Sequence, residues 1–133
     1  TLCAFLALAV SGAVTALGDT LFPSTNLMSG MNEDFRAGAH FLVRLRVIHP
    51  LLATSWVVLV FIWSKKLETL ELKGIRAYLL LAVICQFCLG FVNWLLMAPT
   101  GMQIVHLIVA DIVFLCLWIS GLKYETRESR YQA

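Results

Sequence analysis

The stretch RLRVIHPLLATSWVVLVFIW, residues 44–63, decides the fold. From Val47 to Trp63 it holds no acid, lysine or arginine, and it approaches the roughly 20 residues a helix needs to cross about 30 Å of hydrocarbon. Arg44 and Arg46 stand just before it, where a membrane surface would lie. Working outward, three more apolar blocks follow the same rule: about Leu2–Leu17, Tyr78–Leu96 and Met102–Leu122. Short polar stretches separate them, and no repeat of solenoid type or low-complexity tract intervenes.

Composition agrees, with 60% hydrophobic and 14% charged residues and a mean hydropathy of +0.85. Soluble domains run near 45–50% apolar and about 25% charged, so a water-soluble globule is excluded. Backbone groups in lipid must bond internally, and the alternation of a barrel strand is absent, which leaves helices. The expectation is an all-α membrane protein, a single domain over residues 1–133. It is an antiparallel up-and-down four-transmembrane-helix bundle, with helices at about 2–17, 39–63, 77–97 and 102–122 and an external loop at about 18–38. In that loop Pro23, Ser24, Asn26, Ser29 and Gly30 break any long helix, while Asn32 to Arg46 extends the second span above the membrane.

Lys65, Lys66, Lys73 and Arg76 crowd the second connection, and Lys123, Arg127 and Arg130 follow the fourth span. Basic loops stay on the cytoplasmic side, so both termini are expected there, and Asp19, Glu33 and Asp34 fall outside. The net charge of +2, gathered at block ends, gives no basic face and excludes nucleic acid as a partner. Thr1 opens directly in an apolar run with no secretory signal before it, which reads as a fragment or a processed chain. Cys3, Cys85, Cys88 and Cys116 all fall inside apolar blocks and read as small packing residues. The Cys85/Cys88 pair has no second pair to complete a zinc site.

Histidine inside a membrane is costly and marks a functional site by default. With the outer boundary at Arg46 and at about Met102, His49 and His106 both lie roughly 5 Å deep at 1.5 Å per residue. Two imidazoles at matched depth on two spans can take opposite faces of one iron, and bundle cores house such cofactors. The expectation is a b-type heme with His49 and His106 as its metal ligands. Arg46, three residues from His49, is the first candidate for a heme propionate, and Arg44, about 140° round the helix, the second. Both arginines also read as headgroup anchors. His40 is turned about 180° from His49 and some 13 Å higher, so it is not the second ligand and reads as a loop or cavity residue. Asp111 reads as a proton-relay acid or, more in keeping with its setting, as neutral or paired with Gln86 or Asn93, and Trp56 as core or as packing on the ring. Pro50 bends the second span and is assigned no chemistry.

Three segments carry a family resemblance: Leu17-Gly-Asp-Thr-Leu-Phe-Pro23, His40-Phe-Leu-Val-Arg-Leu-Arg-Val-Ile-His49-Pro50 and Gln103-Ile-Val-His106-Leu-Ile-Val-Ala-Asp111. In their order and helix positions they resemble the carboxyl-terminal half of heme A synthase, across almost the whole chain. The resemblance implies an oxidoreductase of cytochrome oxidase assembly that converts heme O to heme A, built as two similar four-helix halves, each with a histidine pair. It implies that this half carries a heme b on His49 and His106 and passes electrons to or from a catalytic half outside this chain. Partners would then be heme, membrane lipids and a second four-helix half or a homo-oligomer, in a bacterial cell inner membrane. The glutamate motif of the other half has no match at Glu33 or Asp34, so no catalytic residue is carried over. The family's external paired cysteines are missing as well. Two other readings stand beside this one: a stand-alone b-type or quinone-reactive electron-transfer subunit, and a non-redox structural subunit of a respiratory complex.

Overall fold

A computed structural model describes residues 1–132. Five helices follow in order: α1 (Leu2–Leu21), α2 (Leu27–Asp34), α3 (Phe41–Thr69), α4 (Lys73–Leu95) and α5 (Thr100–Gln132). Among the described residues there is no strand. The helices α1, α3, α4 and α5 are each long and apolar enough to span a bilayer, so the chain is an all-α, integral membrane bundle with four spans. Its many exposed large apolar side chains, among them Leu81, Phe91, Leu107 and Trp118, are the surface such a bundle turns to lipid.

Tight connections force antiparallel neighbours. The three residues between α3 and α4 turn through Glu71 in the left-handed region (φ 58°), and Leu72 N donates back to Leu67 O at 3.0 Å. Between α4 and α5, Met97 and Ala98 both take positive φ. The Ala98 amide donates to Asn93 O at 2.7 Å, and the Gln103 side-chain amide donates to Ala98 O at 2.6 Å, bracing a turn built without glycine. Along their lengths α1 pairs mainly with α3 and α4 with α5, and the two pairs meet more loosely.

The helix bounds differ from the hydropathy blocks. α3 runs on to Thr69 and α5 to Gln132, because backbone bonding continues past the point where side chains turn polar. The first connection departs further. Asn32–Asp34 do not extend the second span; they end the separate helix α2, and α3 begins only at Phe41, with His40 as its N-cap. Ser29 and Gly30, expected to break helix, lie inside α2: Asn26 Oδ1 accepts from Ser29 N at 2.9 Å and Ser29 Oγ accepts from Asn26 N at 3.3 Å, a reciprocal cap that starts the helix.

The largest buried apolar cluster lies at one end, while Leu42 and Val43 are buried apart from it, at the end that carries α2. Phe5, Trp56, Val60, Leu67, Leu79, Val83, Val113 and Leu117 form one buried cluster, with Phe5 and Trp56 ring centres 5.1 Å apart. Trp56 therefore belongs to this core, and its indole N–H donates to Thr1 O at 3.2 Å. By contrast, no residue in 6–17, 44–55 or 84–112 is buried. Those three ranges form a continuous slab across the bundle, between the core and the end that carries α2. Three cysteines, Cys3, Cys85 and Cys88, are exposed and do not pack the core as expected, since each falls on a face turned away from the other spans.

Candidate functional site: a histidine pair in the open half of the bundle

Both intramembrane histidines fall in that slab, one on α3 and one on α5, and each is only partly buried. Each leans against a glycine of the helix it pairs with. A Cβ added at Gly12 of α1 would stand 2.9 Å from His49 Cε1, and one added at Gly90 of α4 would stand 3.0 Å from His106 Cε1. The first is closer than real Cβ atoms come and the second tighter than nearly all, so each imidazole uses space that the missing side chain releases.

Their hydrogen bonds differ. His49 Nδ1 lies 2.9 Å from Ser11 Oγ, whose own hydrogen goes to Leu8 O at 2.7 Å. A hydroxyl has one hydrogen; with it on Leu8 O, Ser11 Oγ accepts from Nδ1, which assigns the ring proton to Nδ1. His49 Nε2 is left with a bare lone pair. On α5, His106 Nε2 is 3.1 Å from the Gln86 side-chain amide, while His106 Nδ1 makes no bond at all. The Oε1 of Gln86 and the Oδ1 of Asn93 are likewise shut away without a partner. An unpaired buried polar atom costs about 1–3 kcal/mol, so three of them on one side of the slab mark it as unfinished by the chain's own groups.

The arginines separate in role. Arg46 commits all three of its guanidinium nitrogens within the protein. Its Nε donates to Asp19 Oδ1 at 2.6 Å, Nη1 donates to Ser24 Oγ at 3.1 Å and reaches Asp34 Oδ1 at 3.5 Å, and Nη2 donates to Gly18 O and to Phe22 O. It ties the end of α1 and the cap helix α2 to α3. Burial raises the Asp34 carboxyl above the ordinary carboxylate value, against the pull of Arg46. Arg44 is exposed and makes no side-chain bond among the described residues. By spacing alone Arg46 ranks first for an incoming carboxylate; in the fold its donors are committed, and Arg44 is the guanidinium with capacity to spare.

Other candidates fall away from the pair. His40 Nδ1 accepts from Leu42 N at 3.3 Å as the cap of α3, and its ring packs 5.1 Å from Phe22, so it holds the connection together. Asp111 is exposed and unpaired among the described residues, which corrects the expected pairing: Gln86 is engaged with His106, and Asn93 Oδ1 has no partner. Thr54 Oγ1 donates to Pro50 O at 2.9 Å, and α3 runs through Pro50 without a break. Sequence reasoning missed Ser11, Gly12 and Gly90; only the tertiary pairing of α1 with α3 and of α4 with α5 reveals them.

Comparison with known proteins adds a family. The model of the family described as cytochrome oxidase assembly protein (COX15-CtaA) matches residues 1–118. Among curated relatives, the protoheme IX farnesyltransferases of two strains of Thermus thermophilus are 44% and 43% identical over 121 residues. Each alignment covers 86% of this chain but 19% of the relative, so the chain spans about a fifth of the length of these proteins. No solved structure matches the chain. With the family model reaching into all four apolar spans and taking in both intramembrane histidines, the chain belongs to the cytochrome oxidase assembly protein family.

Proposed function

We propose that this chain is the heme-b-binding, electron-transferring bundle of a heme A synthase-type oxidoreductase, in which His49 and His106 would hold the heme. The observation that carries the reading is the slab itself: two imidazoles, each seated on a glycine, in a section of the bundle where no residue is buried and three shielded polar atoms lack partners. A flat apolar group between the loosely met helix pairs would fill that section. Membership of a cytochrome oxidase assembly family supports the heme assignment. So does the name of the Thermus relatives, which act on protoheme IX.

A bound heme supplies one-electron chemistry through its iron. The chain's own residues do the rest. Ser11 fixes the proton of His49 on Nδ1 and so keeps Nε2 available as a ligand. Gly12 and Gly90 give both rings room. Arg44 is the residue for a propionate, while Arg46 holds the external cap in place around Asp19 and Asp34. Held by both histidines, such a group would pass electrons, and conversion of heme O to heme A would belong to a second four-helix half or a second copy. The setting proposed is a bacterial inner membrane.

A second reading is a b-type cytochrome without heme A synthesis, since the histidine pair alone would serve either role. An assay of heme A formation by cells producing the chain with its natural neighbours separates the two. The site itself is tested by spectra of the purified, reduced chain: a low-spin b-type absorption is expected, and its survival in both His49→Ala and His106→Ala would defeat the ligand assignment.

A further inference from the structure

Resting on the heme-site reading above, we propose that the two histidines are unequal by construction: His49 is a preset ligand, and His106 is latched by Gln86, whose amide must leave Nε2 before that imidazole can bind iron. The inequality lies in the first neighbours of each ring. On His49, Ser11 Oγ sits on Nδ1 at 2.9 Å, with its hydrogen already given to Leu8 O, so Nε2 has a lone pair and no protein partner. On His106 the arrangement is inverted. The Gln86 amide sits on Nε2 at 3.1 Å, and Nδ1 is the atom without a partner. Turning the amide end for end exchanges its nitrogen and oxygen but leaves Nε2 covered in either case.

Gln86 is four residues before Gly90, hence one turn away on the same face of α4, and that face is the one against which His106 rests. Latch and seat therefore belong to one helix. The pair Ser11 and Gly12 on α1 is adjacent in sequence, and it holds a ring rather than covering its ligating atom. Ligation at His49 forms one bond from the Nε2 lone pair to iron; the Nδ1 proton stays where Ser11 already holds it, and nothing is oxidised or reduced. Ligation at His106 exchanges the hydrogen bond from Gln86 for the bond to iron. With the amide nitrogen on Nε2, the ring proton is on Nδ1 throughout and no proton is released. Ser11 is thus a positioning residue for the first ligand, and Gln86 is a gate on the second.

The test uses the full chain in detergent, produced in heme-starved cells and mixed rapidly with ferric heme b. Two phases are expected in the native chain, a five-coordinate high-spin species followed by a slower six-coordinate low-spin one. Gln86→Leu should speed the second phase about tenfold and leave the first unchanged, since one hydrogen bond of about 1.4 kcal/mol is removed from the path. Gln86→Asn, too short to reach the ring, should do the same and carries the test if the leucine variant inserts poorly. Ser11→Ala should weaken heme binding about tenfold through the first phase alone. His106→Ala should stop at the five-coordinate species, and His49→Ala should lose the first phase. A single phase in the native chain, or a second phase unmoved in both Gln86 variants, overturns the latch. If the native chain never becomes low-spin, or becomes so without either histidine, it is the heme site that fails; a low-spin state that needs both histidines with rates indifferent to Gln86 removes the latch alone.

Discussion

At Arg46 the side chain is 9% exposed and faces two carboxylates, Asp19 at 2.6 Å and Asp34 at 3.5 Å, together with two backbone carbonyls of the α1 end. Removing one partner of such a buried cluster strands the others, which costs about 3–5 kcal/mol, so Arg46→Ala should melt well below the native chain in detergent. Asp34 behaves differently. Burial lifts its carboxyl above its ordinary value of 3.8, so the folded chain holds that proton more tightly than the unfolded one. The stabilisation from protonated Asp34 is therefore full below the unfolded value and is lost as pH rises through the folded one. Asp34→Asn should accordingly melt a few degrees higher than the native chain at pH 7, with the gap closing as pH falls toward 4; a gap that widens on acidification would contradict the sign. None of this was legible in the sequence. The apolar setting of His49 and His106 and their matched depth could be read from spacing. The commitment of Arg46 depends on Asp19 and Asp34, 27 and 12 residues earlier in the chain. Only the fold of the first connection brings them in.

Among the helices, packing and ligand chemistry are divided along the axis. Leu67, Leu79 and Val113 are fully buried at the end nearest the α3–α4 turn, whereas Gly12, His49, Gly90 and His106 occupy the slab with no buried residue. In lipid there is no hydrophobic drive between spans, so close contact at the packed end holds the bundle, and the proposed heme would sit at the less packed end. The two ends should then respond independently. Leu79→Ala removes contacts that make the bundle cohere and should cost about 2–5 kcal/mol while the low-spin heme spectrum persists. Gly90→Val drives a branched side chain into the His106 ring and should abolish the low-spin spectrum with little change in helical content. Thermal melts and visible spectra of both variants check this, and a Leu79→Ala chain that loses its spectrum while still folded would refute the division. The number and type of spans were legible because each needs one long apolar block. That the first connection holds no long helix was legible too; the start of short α2 was not, since Ser29 and Gly30 are breakers by residue preference and become helical only through the reciprocal Asn26–Ser29 cap.

Across the whole molecule, seven of the ten lysines and arginines lie at the end opposite the histidines, against Arg36, Arg44 and Arg46 at the histidine end. Lys65, Lys66, Lys73 and Arg76 gather at the turn beside the packed core, where Glu68 accepts from Arg76 at 3.3 Å and from Lys65 at 3.4 Å. Lys123, Arg127 and Arg130 lie on the same side, beyond the last core residues of α5. The other end bears Asp19, Glu33, Asp34 and the α2 cap, with the histidine slab just beneath. Lysine and arginine in short connections resist translocation, so the packed end should remain in the cytoplasm and the histidines should lie near the outer face. Reporter fusions test this directly. A fluorescent protein that matures only in the cytoplasm should glow when joined after Ala133, and alkaline phosphatase, active only outside, should work when inserted near Ala37 and fail near Glu71. The reverse pattern would put the slab on the cytoplasmic side, and electrons would then have to enter from the cytoplasmic face. In the expected orientation, Lys65→Glu and Lys66→Glu together weaken the bias without touching the slab. A fraction of chains should invert, each still able to take up heme if the proposed histidine pair holds it, as expected where orientation and the histidine pair are set by different parts of the same bundle.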